Sequence, residues 1–203
     1  MSLARLLQLA SPALPVGAYS YSQGLEAAAE AGVVHDAASA ERWIADMLEF
    51  SMARLEAPML WRMLQGEDLN DLFLASRETA ELRAETVQMG ASLKKLLSDL
   101  SIDVKIEEPS FPCAFAAAAL AWRLEPREVL IAYLWSWLEN QVMAAIKAVP
   151  IGQTAGQKIL LSFGERLDGI AERAASGEWS NLAPGLAVLS SKHETQYSRL
   201  FRS

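Results

Sequence analysis

The residues able to do chemistry are few: one cysteine and two histidines in 203 residues. Cys113 follows Pro112, with Phe111 and Phe115 close by, the setting of a buried small hydrophobe rather than of an activated thiolate. His35 lies in a connection between expected helices and His193 in the C-terminal segment, and both read as solvated or capping residues. A nucleophile, a base and an orienter cannot be assembled from this set, and a metal site would need ligands from another chain. The carboxylate pairs Glu81/Glu85 and Glu107/Glu108 read as solvated faces rather than acid–base machinery. The pattern speaks against an enzyme and implies no cofactor.

Two segments imitate sites. In PIGQTAGQKI, Gly152 and Gly156 bracket three residues, and Gln157, Lys158 and Ile159 follow. A phosphate loop needs four residues between its glycines and then Lys with Ser or Thr, so the lysine reach and the magnesium ligand are both missing. Small residues at this spacing suit close helix packing instead. The stretch after Glu128 is apolar all round up to Leu138, yet Ser136, Asn140 and Lys147 share one arc of it with Glu139 beside them. That polar stripe on a central rod reads as a satisfied core network or a subunit contact, because buried Glu and Lys are costly unless paired.

The elements around these residues are helical. The chain is rich in Ala, Leu, Glu and Arg and lacks alternating β-branched runs, so the expected fold is an all-α, single-domain bundle of roughly eight to ten helices. Ser2 starts a helix that ends near Ala10, before the prolines at 12 and 15. A second helix is expected over Ser20 to Ala31, closed by Gly32, and a third starts at Asp36 or Ser39, breaks or kinks near Glu56 because of Pro58, and stops at Gly66. Glu67 to Leu100 fits a helical hairpin, Ser101 to Pro112 a surface-crossing loop, and Cys113 to Leu124 and Pro126 to Val149 two further helices. The uncharged runs Pro109–Trp122 and Val129–Leu138 fall well short of the roughly 20 residues a bilayer helix needs. The N-terminus resembles a signal peptide, but Gln8 and two prolines interrupt it, so it is read as structural. A net charge of −7 argues against nucleic acid and anionic membrane as partners, and a single cysteine fits the reducing cytoplasm.

The end of the chain differs from the rest. Residues 190–203, SSKHETQYSRLFRS, carry a formal charge of +2 and leave −9 for residues 1–189. With Tyr197, Leu200 and Phe201 between the charges, this tail reads as a docking peptide for its own body or for another protein. The expected organisation is therefore a helical body over 1–189 and a docking tail over 190–203.

Four blocks, LLQLASPALPVGAYSYSQGLE, RETAELRAETVQMGASL, WLENQVMAAIKAVPIGQTAGQ and SSKHETQYSRLFRS, together resemble the UreF family of urease accessory proteins in order and spacing. The resemblance implies a homodimeric, non-catalytic assembly factor that bridges UreD (also called UreH) to the GTPase UreG, modulates that GTPase, and promotes nickel insertion into the urease apoprotein. It places the partner contacts at Tyr19, Lys147, Tyr197, Arg199, Leu200 and Arg202, with Arg199 pinned to loop carbonyls and to the Tyr19 hydroxyl. A generic helical adaptor of an unrelated assembly is the alternative that composition alone leaves open.

Overall fold

The computed structural model describes residues 2–203. Eleven α-helices follow in order: α1 (Ser2–Leu9), α2 (Leu25–Glu30), α3 (Ala37–Met47), α4 (Ala57–Leu64), α5 (Asn70–Ala75), α6 (Ala80–Asp99), α7 (Phe111–Ala121), α8 (Pro126–Ala148), α9 (Gln153–Gly164), α10 (Leu167–Ala175) and α11 (Pro184–His193). No strand occurs among the described residues, so the all-α expectation holds.

The 23-residue α8 is the axis, touching α1, α2, α3, α4, α9 and α10. Pro126 opens it in the first turn, where its missing N–H costs nothing. Its length and composition would suit a membrane span, but Leu130, Leu134, Leu138 and Ala145 are fully buried against neighbouring helices. At the α8–α9 crossing, a Cβ on Gly156 would lie 2.7 Å from Ile146 Cδ1 and 3.0 Å from Val142 Cγ1. The false phosphate loop is thus a packing contact at Gly156, whereas Gly152 faces open space.

Several expected boundaries differ; the helix expected over Cys113 to Leu124, for one, runs Phe111–Ala121. The helix proposed from Ser20 begins only at Leu25, because Gly17, Gln23 and Gly24 all take positive φ and turn the chain instead. The third helix does not break at Pro58. Asp36 caps it, exchanging bonds with Ser39 in a capping box, and it runs through a π-helical stretch, Leu48–Glu56, directly into α4. Pro58 has no N–H for the carbonyl of Arg54, and the Ser180 amide fills that place at 2.8 Å. The wider π winding turns Ser51 and Glu56 inward, where both are buried.

The loop expected over Ser101 to Pro112 occupies residues 100–110, since α7 already begins at Phe111, and it is strapped to α6 and α5. Lys94 Nζ donates to the Ile106 carbonyl at 2.6 Å, and the Asn70 side chain bonds both Glu108 O and Ser110 N. The strap crosses α6 at Gly90, where an added Cβ would stand 1.9 Å from the Pro109 carbonyl oxygen.

Candidate partner-docking site

The C-terminal segment lies on its own body, held by carboxylates of α2 and α6. Glu26, buried on α2, accepts from the backbone amides of Leu200 at 2.6 Å and Phe201 at 2.8 Å, and from the Gln196 side chain at 3.3 Å. His193 is fully buried, with Nε2 3.2 Å from Glu26 and Nδ1 2.7 Å from Glu81. Each ring nitrogen of this buried imidazole thus meets a carboxylate, one from α2 and one from α6. This corrects the solvated or capping reading of His193. The same correction applies to Glu81 and Glu85: their side chains face the tail rather than water, and Glu85 is buried.

α11 and the tail in turn complete the start of α6. Thr79 caps it through Leu82 N, and Glu194 accepts from the Ala80 and Glu81 amides at 3.1 and 3.4 Å. Arg199 donates to Glu81 at 2.7 Å and to the carbonyls of Glu194 and Gln196. Its partners are therefore Glu81 and two carbonyls of the tail itself, in place of the Tyr19 hydroxyl. The last residues run beside the loop 17–22 like a short strap. Arg202 N donates to Ser20 O at 2.8 Å, Ser22 N donates to Ser203 O at 2.8 Å, and Ser203 Oγ donates to Glu85 at 2.7 Å.

A second contact joins loop, tail and α8. The Lys147 ammonium stands 6.0 Å from the Tyr19 ring centre and 5.7 Å from that of Phe201, so one cation is shared by two aromatic faces. Tyr19, Ser20, Lys147, Leu200, Phe201 and Arg202 line one shallow depression. Four of the six residues expected from the sequence therefore meet here, while Arg199 sits at Glu81 and Tyr197 projects fully into solvent. Tyr19 and Leu200 are also exposed, at 67% and 62%. Phe201, the buried anchor, was not among the expected contacts.

Behind this face lies a cavity of about 210 Å³, whose lining includes the polar stripe Ser136, Glu139, Asn140 and Lys147. Burial pushes the Glu139 carboxyl up from the ordinary range. Deeper in, Arg77 and Glu56 form a buried ion pair at 2.8 Å, and the Tyr133 hydroxyl donates to the other Glu56 oxygen at 2.7 Å. The Tyr133 hydroxyl is pushed well up, by burial first and then by the charge of Glu56. Gln23 links cavity to tail: its amide nitrogen donates to Glu85 at 2.7 Å and its oxygen accepts from the Trp137 indole at 2.6 Å. Asn140 and Gln141 hold the same loop through the carbonyls of Tyr21 and Ser22. The stripe is thus a core network in part and a cavity wall in part.

Among the described residues, the one cysteine is not set up as a nucleophile. Cys113 is buried, and burial pushes its thiol up to about 11, away from thiolate chemistry. Among the described residues no group of three His, Cys, Asp or Glu side chains is placed to hold a metal ion. What the geometry offers is a surface: a tail clasped by buried carboxylates that displays Tyr197 to solvent and Leu200 beside Tyr19 and Lys147.

Comparison with known proteins gives the family. The family model described as UreF matches residues 34–164, well over half of the chain. The urease accessory protein UreF of Azoarcus sp. (strain BH72) is 56% identical over 225 aligned positions, covering 100% of this chain and 96% of that protein. The UreF proteins of Dechloromonas aromatica (strain RCB) and Methylobacillus flagellatus are 51% and 48% identical, each with 100% of this chain and 98% of the relative covered. The chain belongs to the UreF family, the urease accessory proteins, and its role lies in the maturation of urease.

Proposed function

We propose that this protein is a non-catalytic bridge in the cytoplasm, joining UreD to the GTPase UreG during nickel insertion into the urease apoprotein, and that it works as a homodimer. The observation that carries this reading is the clasped tail. It turns its buried groups to its own body, holds Leu200 outward beside Tyr19 and Lys147, and projects Tyr197 into solvent. Exposed aromatics on a fixed backbone are the side chains that anchor protein interfaces, since they bring large contact area at small entropic cost.

In this reading Tyr19, Tyr197, Leu200 and Arg202 form the UreD contact, and Arg199 shapes it from behind through Glu81. Lys147 modulates UreG. Two substitutions separate the roles. Arg199→Ala is expected to lose UreD on co-purification while the helical body stays folded, and full retention of UreD would overturn the tail assignment. Lys147→Ala is expected to change UreG GTP hydrolysis and urease activation. Unchanged rates in both assays would remove Lys147 from the proposal.

A further inference from the structure

We propose that Glu85 is the positioning residue that seats the end of the tail, and that seating the tail takes up a proton on the Glu85 oxygen facing Ser203. This deepens the reading of residues 190–203 as the partner-docking segment and rests on it.

The geometry assigns the proton to one oxygen. The indole N–H of Trp137 can only donate, so the Gln23 oxygen it meets at 2.6 Å is fixed as an acceptor and the Gln23 amide nitrogen as a donor. That nitrogen points at Glu85 Oε1 at 2.7 Å, which must therefore keep a free lone pair. Oε2 faces only the Ser203 hydroxyl, at 2.7 Å. A hydroxyl can turn: it donates to the ionised carboxylate and accepts from the protonated one, so the seated tail satisfies Glu85 in both states. Gln23 holds this position with φ of +53°, a conformation that a non-glycine residue keeps only when its surroundings impose it.

The charges facing Glu85 come from every side. Glu56 on the π-helical stretch disfavours its ionisation and Arg77, before α6, favours it. The phenol of Tyr21 is near enough to feel the charge, with Arg202 of the tail beyond it, and the buried Tyr133 of α8 responds to it as well. One turn earlier on α6, Glu81 is already taken by His193 and Arg199. Burial outweighs these charges and the two hydrogen bonds, and it pushes the carboxyl up from 4.5 to about 7.

The sign follows from linkage. When the tail lifts, Ser203 leaves, water reaches the carboxyl, and its proton affinity falls back toward the ordinary range. The seated state then holds the proton more tightly, so seating is fully assisted below about 4.5 and the assistance is lost as pH rises through about 7. Over pH 6 to 8 the change in the seating equilibrium is about tenfold.

Hydrogen–deuterium exchange of the full chain tests this without any partner. The Leu200 and Phe201 amides, bonded to Glu26, report seating, and α8 amides report global folding. After correction for intrinsic exchange, wild-type tail protection is expected to fall about tenfold from pH 6 to pH 8 while α8 stays protected. Glu85→Gln reproduces the protonated carboxyl, donating to Ser203 and accepting from Gln23, and is expected to give a protected tail with a flat profile. A flat wild-type profile overturns the proposal. So does a Glu85→Gln chain that keeps the slope, or one that loses α8 protection, since a neutral mimic must be tolerated. Failure of the docking reading looks different: the tail profile slopes as stated, yet Arg199→Ala still captures UreD in full.

Discussion

Two buried ionic networks in this molecule use the same side chains to different ends. In the first, Glu56, Arg77 and Tyr133 are held on the π-helical stretch, the approach to α6 and the centre of α8. Removing one partner strands a charge inside the body, so the network stands or falls with the fold. In the second, Glu26, Glu81 and Glu85 face a segment that brings one buried aromatic, Phe201, and otherwise binds through backbone and polar groups. In the seating proposal this network opens at residues 194–203 while the helices remain. A buried carboxylate is therefore structural or reversible according to what carries its partner.

Substitutions can break or sharpen that contrast. Arg77→Ala leaves Glu56 uncompensated and is expected to lower global stability by about 3–5 kcal/mol, read from the urea midpoint. Phe201→Ala removes the tail's apolar anchor and one of the two rings beside Lys147. Its loss of about 1.5–3 kcal/mol should appear as tail exchange rather than as a shifted global midpoint. Glu26→Gln keeps the shape but leaves one tail amide facing an NH₂ group, at a cost of about 1–2 kcal/mol to tail protection. A global midpoint shift as large as that of Arg77→Ala would merge the two networks into one. Tyr197→Ala is expected to stay within about 0.5 kcal/mol of wild type in stability while weakening UreD capture, since the side chain touches only solvent.

The helical architecture was legible because helix length, capping residues and Gly or Pro punctuation are local signals. Asp36 with Ser39, Gly32, Gly66 and Pro126 all act where the chain places them. The passage across Pro58 was not legible, because the group that fills the vacant Arg54 carbonyl comes from Ser180, more than a hundred residues on. The tail's aromatic and basic character pointed to docking, and Tyr19, Leu200 and Arg202 of the expected residues share one depression with Lys147. Its receptors were missed for a physical reason. Glu81 and Glu85 at helical spacing look the same on a wet face as on one covered by residues 193–203, and Glu26 sits within an alanine-rich run that shows no partner. Their one local trace is the spacing of four, which puts both carboxylates on one side of α6.

The crossing at Gly90 has a consequence for that side. Because the Pro109 carbonyl occupies the space a side chain would need, α6 is keyed like a shaft in a slot and cannot rotate about its axis. Glu85 and Glu81 lie five and nine positions upstream, the farther about 13 Å along the helix, so their bearing is set by a contact they do not share. Any residue larger than glycine at 90 must part the strap from α6 or turn the helix, and in the second case a fault on a distant part of the same rod would carry both carboxylates off the tail.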